Sequence, residues 1–330
     1  MTYAPPIYHQ FMDAAYSMGN AVMLIHPGRF LFNAGSTPKT WNHRILNDPH
    51  FKVILYEANV NKIFPNTNIN GGIAISYHDN NKTFGAIETF TSFEELNSIL
   101  FKIKNTFNEK SMSDCVISRT AYRLTDLLHK DYPNAILQLS EGHPYDMSTN
   151  IFERLPQVFF DVKPNDENTY IQIFGREDGK RTVKWIKRIY VSGPNNIDKY
   201  KVIMSSADGA AGTIGKPVPA RITGSPSIGI PGMGNTESFI SIGSFETENV
   251  ANNALKYIKT KFARTMLGIL KITQHITPDK WKYVPLQDFT SSSDIDWTKS
   301  IPEIDQQLYK KYGLTEKEID FIETHVKEME

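Results

Sequence analysis

The sequence predicts an α/β segment followed by a mixed α+β domain, and three observations carry that prediction. Up to about residue 104, short apolar runs of strand length alternate with stretches of helical periodicity. Between residues 152 and 190 the runs are strand-like and are punctuated by the turn dipeptide Asp178-Gly179. Helical spacing then returns over Glu248 to Ile272 and over Pro302 to Glu330.

In chain order, Ile7, Phe11, Ala14, Ala15 and Met18 lie at helical spacing and Gly19-Asn20 ends the helix. Ala21 to Ile25 is a strand-like run closed by Pro27 and Gly28, and Thr37-Pro38 opens a second helix through Leu46. Phe51 to Tyr56 and Gly71 to Tyr77 read as further strands, so strand and helix alternate as in an α/β layer with a parallel sheet. Ser92-Phe93-Glu94-Glu95 is a capped start for a helix running into Lys104, and the change of pattern beyond it places a boundary around 105–115. Gln157 to Val162, Tyr170 to Phe174 and Val183 to Tyr190 read as strands. Ala207 to Gly234, dense in Gly, Pro, Ser and Ala, reads as exposed loops. The last two helices meet around Gly313, the second capped by Thr315 with Glu318. The expected organisation is 1–105, 106–290 and a helical tail over 291–330, without internal repeats.

Composition excludes several classes. With 330 residues, 40% hydrophobic and 22% charged, the chain can build a sizeable core. No apolar run reaches the ~18 residues of a membrane helix. The N-terminus lacks signal-peptide character and the lone Cys115 has no internal disulfide partner, so a reducing cytoplasm is expected. Thirty-six basic and 36 acidic residues cancel, which argues against a polyanion binder held by bulk charge. Any contact with nucleic acid must therefore be local. From Arg176 to Lys201 eight basic residues face three acidic ones, a local excess of +5 that fits either a solvated hairpin face or a nucleic-acid contact.

Two segments carry a family resemblance: Ile7-Tyr8-His9-Gln10-Phe11-Met12-Asp13-Ala14-Ala15-Tyr16 and Leu24-Ile25-His26-Pro27-Gly28-Arg29-Phe30-Leu31. They resemble the stretch just downstream of the catalytic Asn-Pro-Pro-Tyr motif in adenine-N6 DNA methyltransferases of fused type II restriction-modification systems. Phe64-Pro65-Asn66-Thr67 running into Gly71 to Tyr77 resembles a later motif of that family, and so do Trp281 to Phe289 and Asp294-Ile295-Asp296-Trp297 to Gly313-Leu314 the family's C-terminal end. The resemblance implies an α/β partial Rossmann-like methyltransferase segment followed by a mixed α+β target-recognition domain. It also implies double-stranded DNA as partner, S-adenosylmethionine as cofactor of the complete enzyme, and a role for Phe64 in packing against a flipped adenine. From the residues alone Phe64 reads equally as core packing at a strand entry.

The chemistry of methyl transfer is absent from these residues. No glycine-rich turn after a first strand precedes Tyr3, so no cofactor is expected to be bound by this chain alone. Ala4-Pro5-Pro6-Ile7 offers neither the amide nor the ring of Asn-Pro-Pro-Tyr. The missing N-terminal methyltransferase half then becomes an expected partner. Gly229-Ile230-Pro231-Gly232-Met233-Gly234 follows no clear strand and Pro231 removes a donor, so it reads as a DNA-contacting or a plain surface loop, with Asn235, Thr236 and Ser238 able to bond phosphates or base edges. Asp146 with Asp161-Val162-Lys163 matches a metal-nuclease spacing that arises often by chance, and no zinc spacing occurs among the His residues.

The DNA-binding candidates are Lys180, Arg181, Lys184, Lys187 and Arg188, with Lys216, Asn235, Thr236 and Ser238. On a strand opened by Asp178-Gly179, Lys180, Lys184 and Arg188 share one face, while Arg181 and Lys187 share the other with Val183 and Trp185. Three readings follow: a DNA-specificity portion incomplete for catalysis, a working adenine methyltransferase, and an interaction module without a DNA role.

Overall fold

The structure, a computed structural model, describes residues 6–67, 69, 71–106 and 110–329. Of the segment Ala4-Pro5-Pro6-Ile7, Ala4 and Pro5 lie outside the described residues. Contacts divide the chain into two compact units, Met1–Phe101 and Lys102–Glu330.

The first unit begins with α1 (Tyr8–Met18), which buries Met12 and Tyr16 one turn apart and ends as Gly19 donates its N–H to the Ala15 carbonyl. Next come β1 (Ala21–Pro27), α2 (Lys39–Leu46, entered through Pro38), β2 (Phe51–Glu57) and β3 (Ile73–Asp79). The sheet order is β1-β3-β2, with β3 antiparallel to both neighbours. The expected parallel sheet is therefore corrected. β1-α2-β2 does bring two strands into the same direction, but among the described residues a loop with one 3-10 turn joins β2 to β3, and β3 returns antiparallel between them.

One face of this sheet is dry. Phe30, Trp41, Ile45, Leu46, Phe51 and Ala74 form a core with Met12 and Tyr16, and Asp13 of α1 accepts from Trp41 and pairs with Arg44 of α2. α3 (Glu94–Thr106) follows, with Leu96, Ile99, Leu100 and Ile103 buried at helical spacing.

The second unit carries short strands β4 (Val116–Ile117) and β5 (Arg123–Leu124), then α4 (Asp126–Asp131), α5 (Ala135–Gln138) and α6 (Ile151–Arg154). A hairpin of β6 (Tyr170–Glu177) and β7 (Lys180–Lys187) leads to β8 (Val191–Ser192), β9 (Tyr200–Ser205), β10 (Ser227–Gly229), β11 (Met233–Asn235) and β12 (Phe239–Phe245). They assemble as β10-β9-β12-β4, β11-β6-β7 and β5-β8. Gln157 to Val162 forms no strand. Phe160 alone bridges to Trp185, on the edge of β7 that β6 leaves open.

Ala207 to Gly234 is likewise not an exposed loop. It contains β10 and β11, and Ala220 and Ile222 are buried with Val326. Polar side chains from a helix and the residue that ends it hold it: Arg264 donates to the Arg221 carbonyl and Lys271 to that of Gly212, at 3.0 and 2.9 Å. That helix is α8 (Lys261–Leu270), separated from α7 (Glu248–Lys259) at Thr260, whose hydroxyl accepts from Ala263 N–H. α9 (Ile301–Lys311) and α10 (Glu316–His325) both start with complete capping boxes. They pack within this unit, Asp305 accepting from the N–H groups of Lys261 and Phe262 at the start of α8, at 2.9 and 2.8 Å.

Candidate nucleic-acid interface

The β6–β7 hairpin is built from its turn. Asp178 and Gly179 both adopt positive φ, 49° and 74°, the geometry of a type I′ loop, which sets Glu177 opposite Lys180 and Arg176 opposite Arg181. Alternation then assigns the faces. Ile171, Ile173 and Ile186 point into the core with Tyr122, Phe152 and Leu155, and Gly175 lets Phe152 approach, since a β-carbon there would meet its ring at 2.6 Å. Lys180, Thr182 and Lys184 share this inward face, while Arg176 and Arg181 share the other with Phe174 and Val183.

This separates the basic candidates. Lys184 is 9% exposed and its ammonium pairs with Asp161 at 2.9 Å and Glu177 at 2.8 Å. Burial alone would lower its pKa, but the two carboxylates outweigh burial and hold it above the ordinary value. It is a neutralised internal cation with no surface to offer a phosphate. Arg188 falls beyond the strand in a 3-10 turn, donates to the Val191 carbonyl and sits 3.5 Å from Asp198. The shared Lys180, Lys184 and Arg188 face therefore does not form. Lys187 is half-buried over the Tyr190 ring, and Lys180 and Lys216 are exposed.

Asn235 and Thr236 are fully buried, against their expected place in a contacting loop. Asn235 donates its amide to the carbonyls of Thr236 and Phe239, which pins β11 to the start of β12. Ser238 is half-buried beside them. The glycine-rich stretch turns from β10 into β11, and Gly234 packs on Ile173 and Tyr122.

What the hairpin offers outward is an arginine pair. Arg176 donates to the Gly179 carbonyl at 2.9 Å and Arg181 to that of Ser225 at 2.8 Å. Their guanidinium carbons lie 5.6 and 5.9 Å from the centroid of buried Phe239, which Phe174 contacts edge-on at 4.6 Å. Partial burial, and then the Arg176 charge, pull the Arg181 pKa below its ordinary value, Asp208 opposing. The turn signal contained this pairing: counting outward from Asp178-Gly179 places 176 opposite 181. Nothing local announced Phe239 beneath them.

The platform behind is tied together by buried polar contacts. Buried Lys201 of β9 donates to the carbonyls of Met233 and Ile197, at 2.6 and 3.1 Å, and burial brings its pKa down to about 8. Tyr122 donates to Asn196, whose amide reaches Ser241 of β12. Burial raises the Tyr122 phenol to about 12, keeping it a neutral donor.

The first unit has a different surface. Among the described residues β1 and β2 each pair only with β3, so both outer edges are open. The sheet face away from its core carries Met23 and Ile25, 62% and 57% exposed, and Phe11 and Met18 are exposed on α1. Phe64 is 41% exposed, just beyond a 3-10 turn at Val60–Lys62. His26 and Ser76 share a 2.8 Å hydrogen bond, but both are buried, and burial lowers the His26 pKa. This is a core contact. Asp146 is paired with Arg123 and His143, and Asp161 with Lys184; no group of three or more potential metal ligands occurs among the described residues. Among the described residues no helix is long and apolar enough to cross a membrane.

The Eco57I restriction-modification methylase family model matches residues 1–64, the stretch that holds α1, β1, α2 and β2. The match supports a relationship to restriction-modification methylases. No curated protein matches the chain.

Proposed function

We propose that the chain is the DNA-specificity portion of an adenine-specific restriction-modification methyltransferase. In this reading the first unit is the closing part of a Rossmann-like catalytic domain, and the second unit is the target-recognition domain that docks on duplex DNA. The observation that carries it is the family match, because it falls on the unit whose sheet has open edges and an uncovered apolar face. A partner bearing the N-terminal methyltransferase half would cover that face and would supply S-adenosylmethionine and the catalytic tetrapeptide, which these residues lack. Phe64, partly exposed, would stand at the adenine pocket of the assembled enzyme. The cations of the basic stretch that stay at the surface without a carboxylate partner among the described residues, Arg176, Lys180, Arg181 and Lys187, support duplex binding through a few phosphate contacts rather than bulk charge.

Two assays on the purified chain test this. Fluorescence anisotropy should show duplex binding that weakens linearly in log–log salt titration. A radiolabelled-methyl assay should show no turnover until the N-terminal half is added. Absence of duplex binding at low salt would leave the interaction-module reading, and multiple turnovers by the chain alone would establish the working-enzyme reading instead.

A further inference from the structure

The arginine pair at the hairpin tip is built in a way that ordinary surface cations are not. Like charges set directly opposite each other across two strands are unfavourable, whereas an acid opposite a cation is stabilising. Among the described residues neither Arg176 nor Arg181 has a carboxylate within ion-pair distance. Glu177, the nearest acid on the strands, is taken by Lys184, and Asp208 influences Arg181 without pairing with it.

Each guanidinium is instead held by one neutral carbonyl, Gly179 for Arg176 and Ser225 for Arg181, and both lean on the one Phe239 ring. A guanidinium has five N–H donors in a rigid fork, and neither makes another hydrogen bond among the described residues. Two forks anchored over one ring suit an acceptor that presents anionic oxygens in more than one plane. A carboxylate fills one fork, whereas a tetrahedral phosphate can face both.

We propose that Arg176 and Arg181, seated on Phe239, form a clamp for a single phosphate group. It rests on the DNA reading above for its natural source, a backbone phosphodiester, while a nucleotide's terminal phosphate has the same chemistry.

The test compares wild type, R176Q, R181Q, the double variant and R181K. Folding is checked by thermal melting, and binding to two duplexes of unrelated sequence is followed by anisotropy over a salt series. Because both arginines serve one phosphate, R176Q and R181Q should each lower the salt slope by about 0.9 on both duplexes, and the double variant should lower it no further. R181K should lose affinity with its slope kept, since it retains the charge and loses the fork; it also serves if a glutamine variant fails to fold. Calorimetry with inorganic phosphate and with ATP forms a second arm. Binding there that R176Q abolishes, on a wild-type chain that ignores duplex DNA, would keep the clamp and remove the DNA reading. Unchanged slopes in folded R176Q and R181Q, independent effects of the two that add in the double variant, or no binding of duplex or phosphate compounds by wild type would overturn the clamp.

Discussion

Lys184→Met separates an internal cation from a DNA-binding one. The wild-type ammonium touches Asp161 and Glu177, and its stem lies on the inward face of β7, with the charge 5.9 Å from the centroid of the Phe152 ring. Removing one partner of a fully buried ion pair costs roughly 3–5 kcal/mol, because a charge is left without water. Here the orphaned acids keep water: the Asp161 side chain is 80% exposed and that of Glu177 33%. The pair is worth closer to the ~0–1 kcal/mol of solvated bridges, and methionine restores most of the aliphatic packing of the lysine stem. The loss of the Phe152 contact adds a few tenths, so we expect destabilisation of about 1 kcal/mol by urea unfolding. The salt slope of duplex binding should not change, because the charge is already matched by Asp161 and Glu177. A slope lowered by about 0.9 with stability unchanged would refute the assignment and return the DNA face to Lys180 and Lys184.

Two further outcomes follow from the packing. Burial pushes the Asp305 carboxyl from its ordinary value up to about 7, against the two N–H groups at the start of α8 and the Arg264 charge, which favour the carboxylate. The folded state therefore holds this proton longer than the unfolded chain, and the stability it contributes is full below about pH 4 and is lost as pH rises through 7. A shift of this size corresponds to roughly 4 kcal/mol. Urea unfolding of wild type and D305N from pH 4 to 8 should show wild type losing stability relative to the variant across that window; parallel profiles would contradict it. Limited proteolysis should cut within residues 1–105 before 120–290, because the first unit's sheet leaves two edges and Met23 and Ile25 uncovered; first cuts inside 120–290 would count against that.

Much of the fold was legible because it is locally encoded. The periodicity of α1, the proline entry to α2, the capping box of α10 and the Asp178-Gly179 turn all appear where residue chemistry places them. Strand partners were not legible. The direction of β3 goes with a β2–β3 connection that carries no helix among the described residues beyond its 3-10 turn, and Gln157 to Val162 has strand composition but makes only the single bridge from Phe160 to Trp185. The burial of Ala220 and Ile222 depends on Arg264 and Lys271, which lie some 40 to 60 residues away in sequence. At the candidate interface the alternation correctly sorted Lys180 and Lys184 from Arg181, but cations stand on both faces, and only the core beneath shows which is inward. Asn235 and Thr236 read as surface groups because composition does not reveal that Asn235 is consumed by two backbone carbonyls.

Amide hydrogen exchange of the whole chain, with and without duplex DNA at low salt, tests the central claim most directly. Duplex should slow exchange around the β6–β7 turn, from Arg176 to Arg181, and near Ser225, while α9 and α10 are unaffected. Duplex binding that leaves the turn unprotected and protects the sheet of the first unit instead would contradict the account.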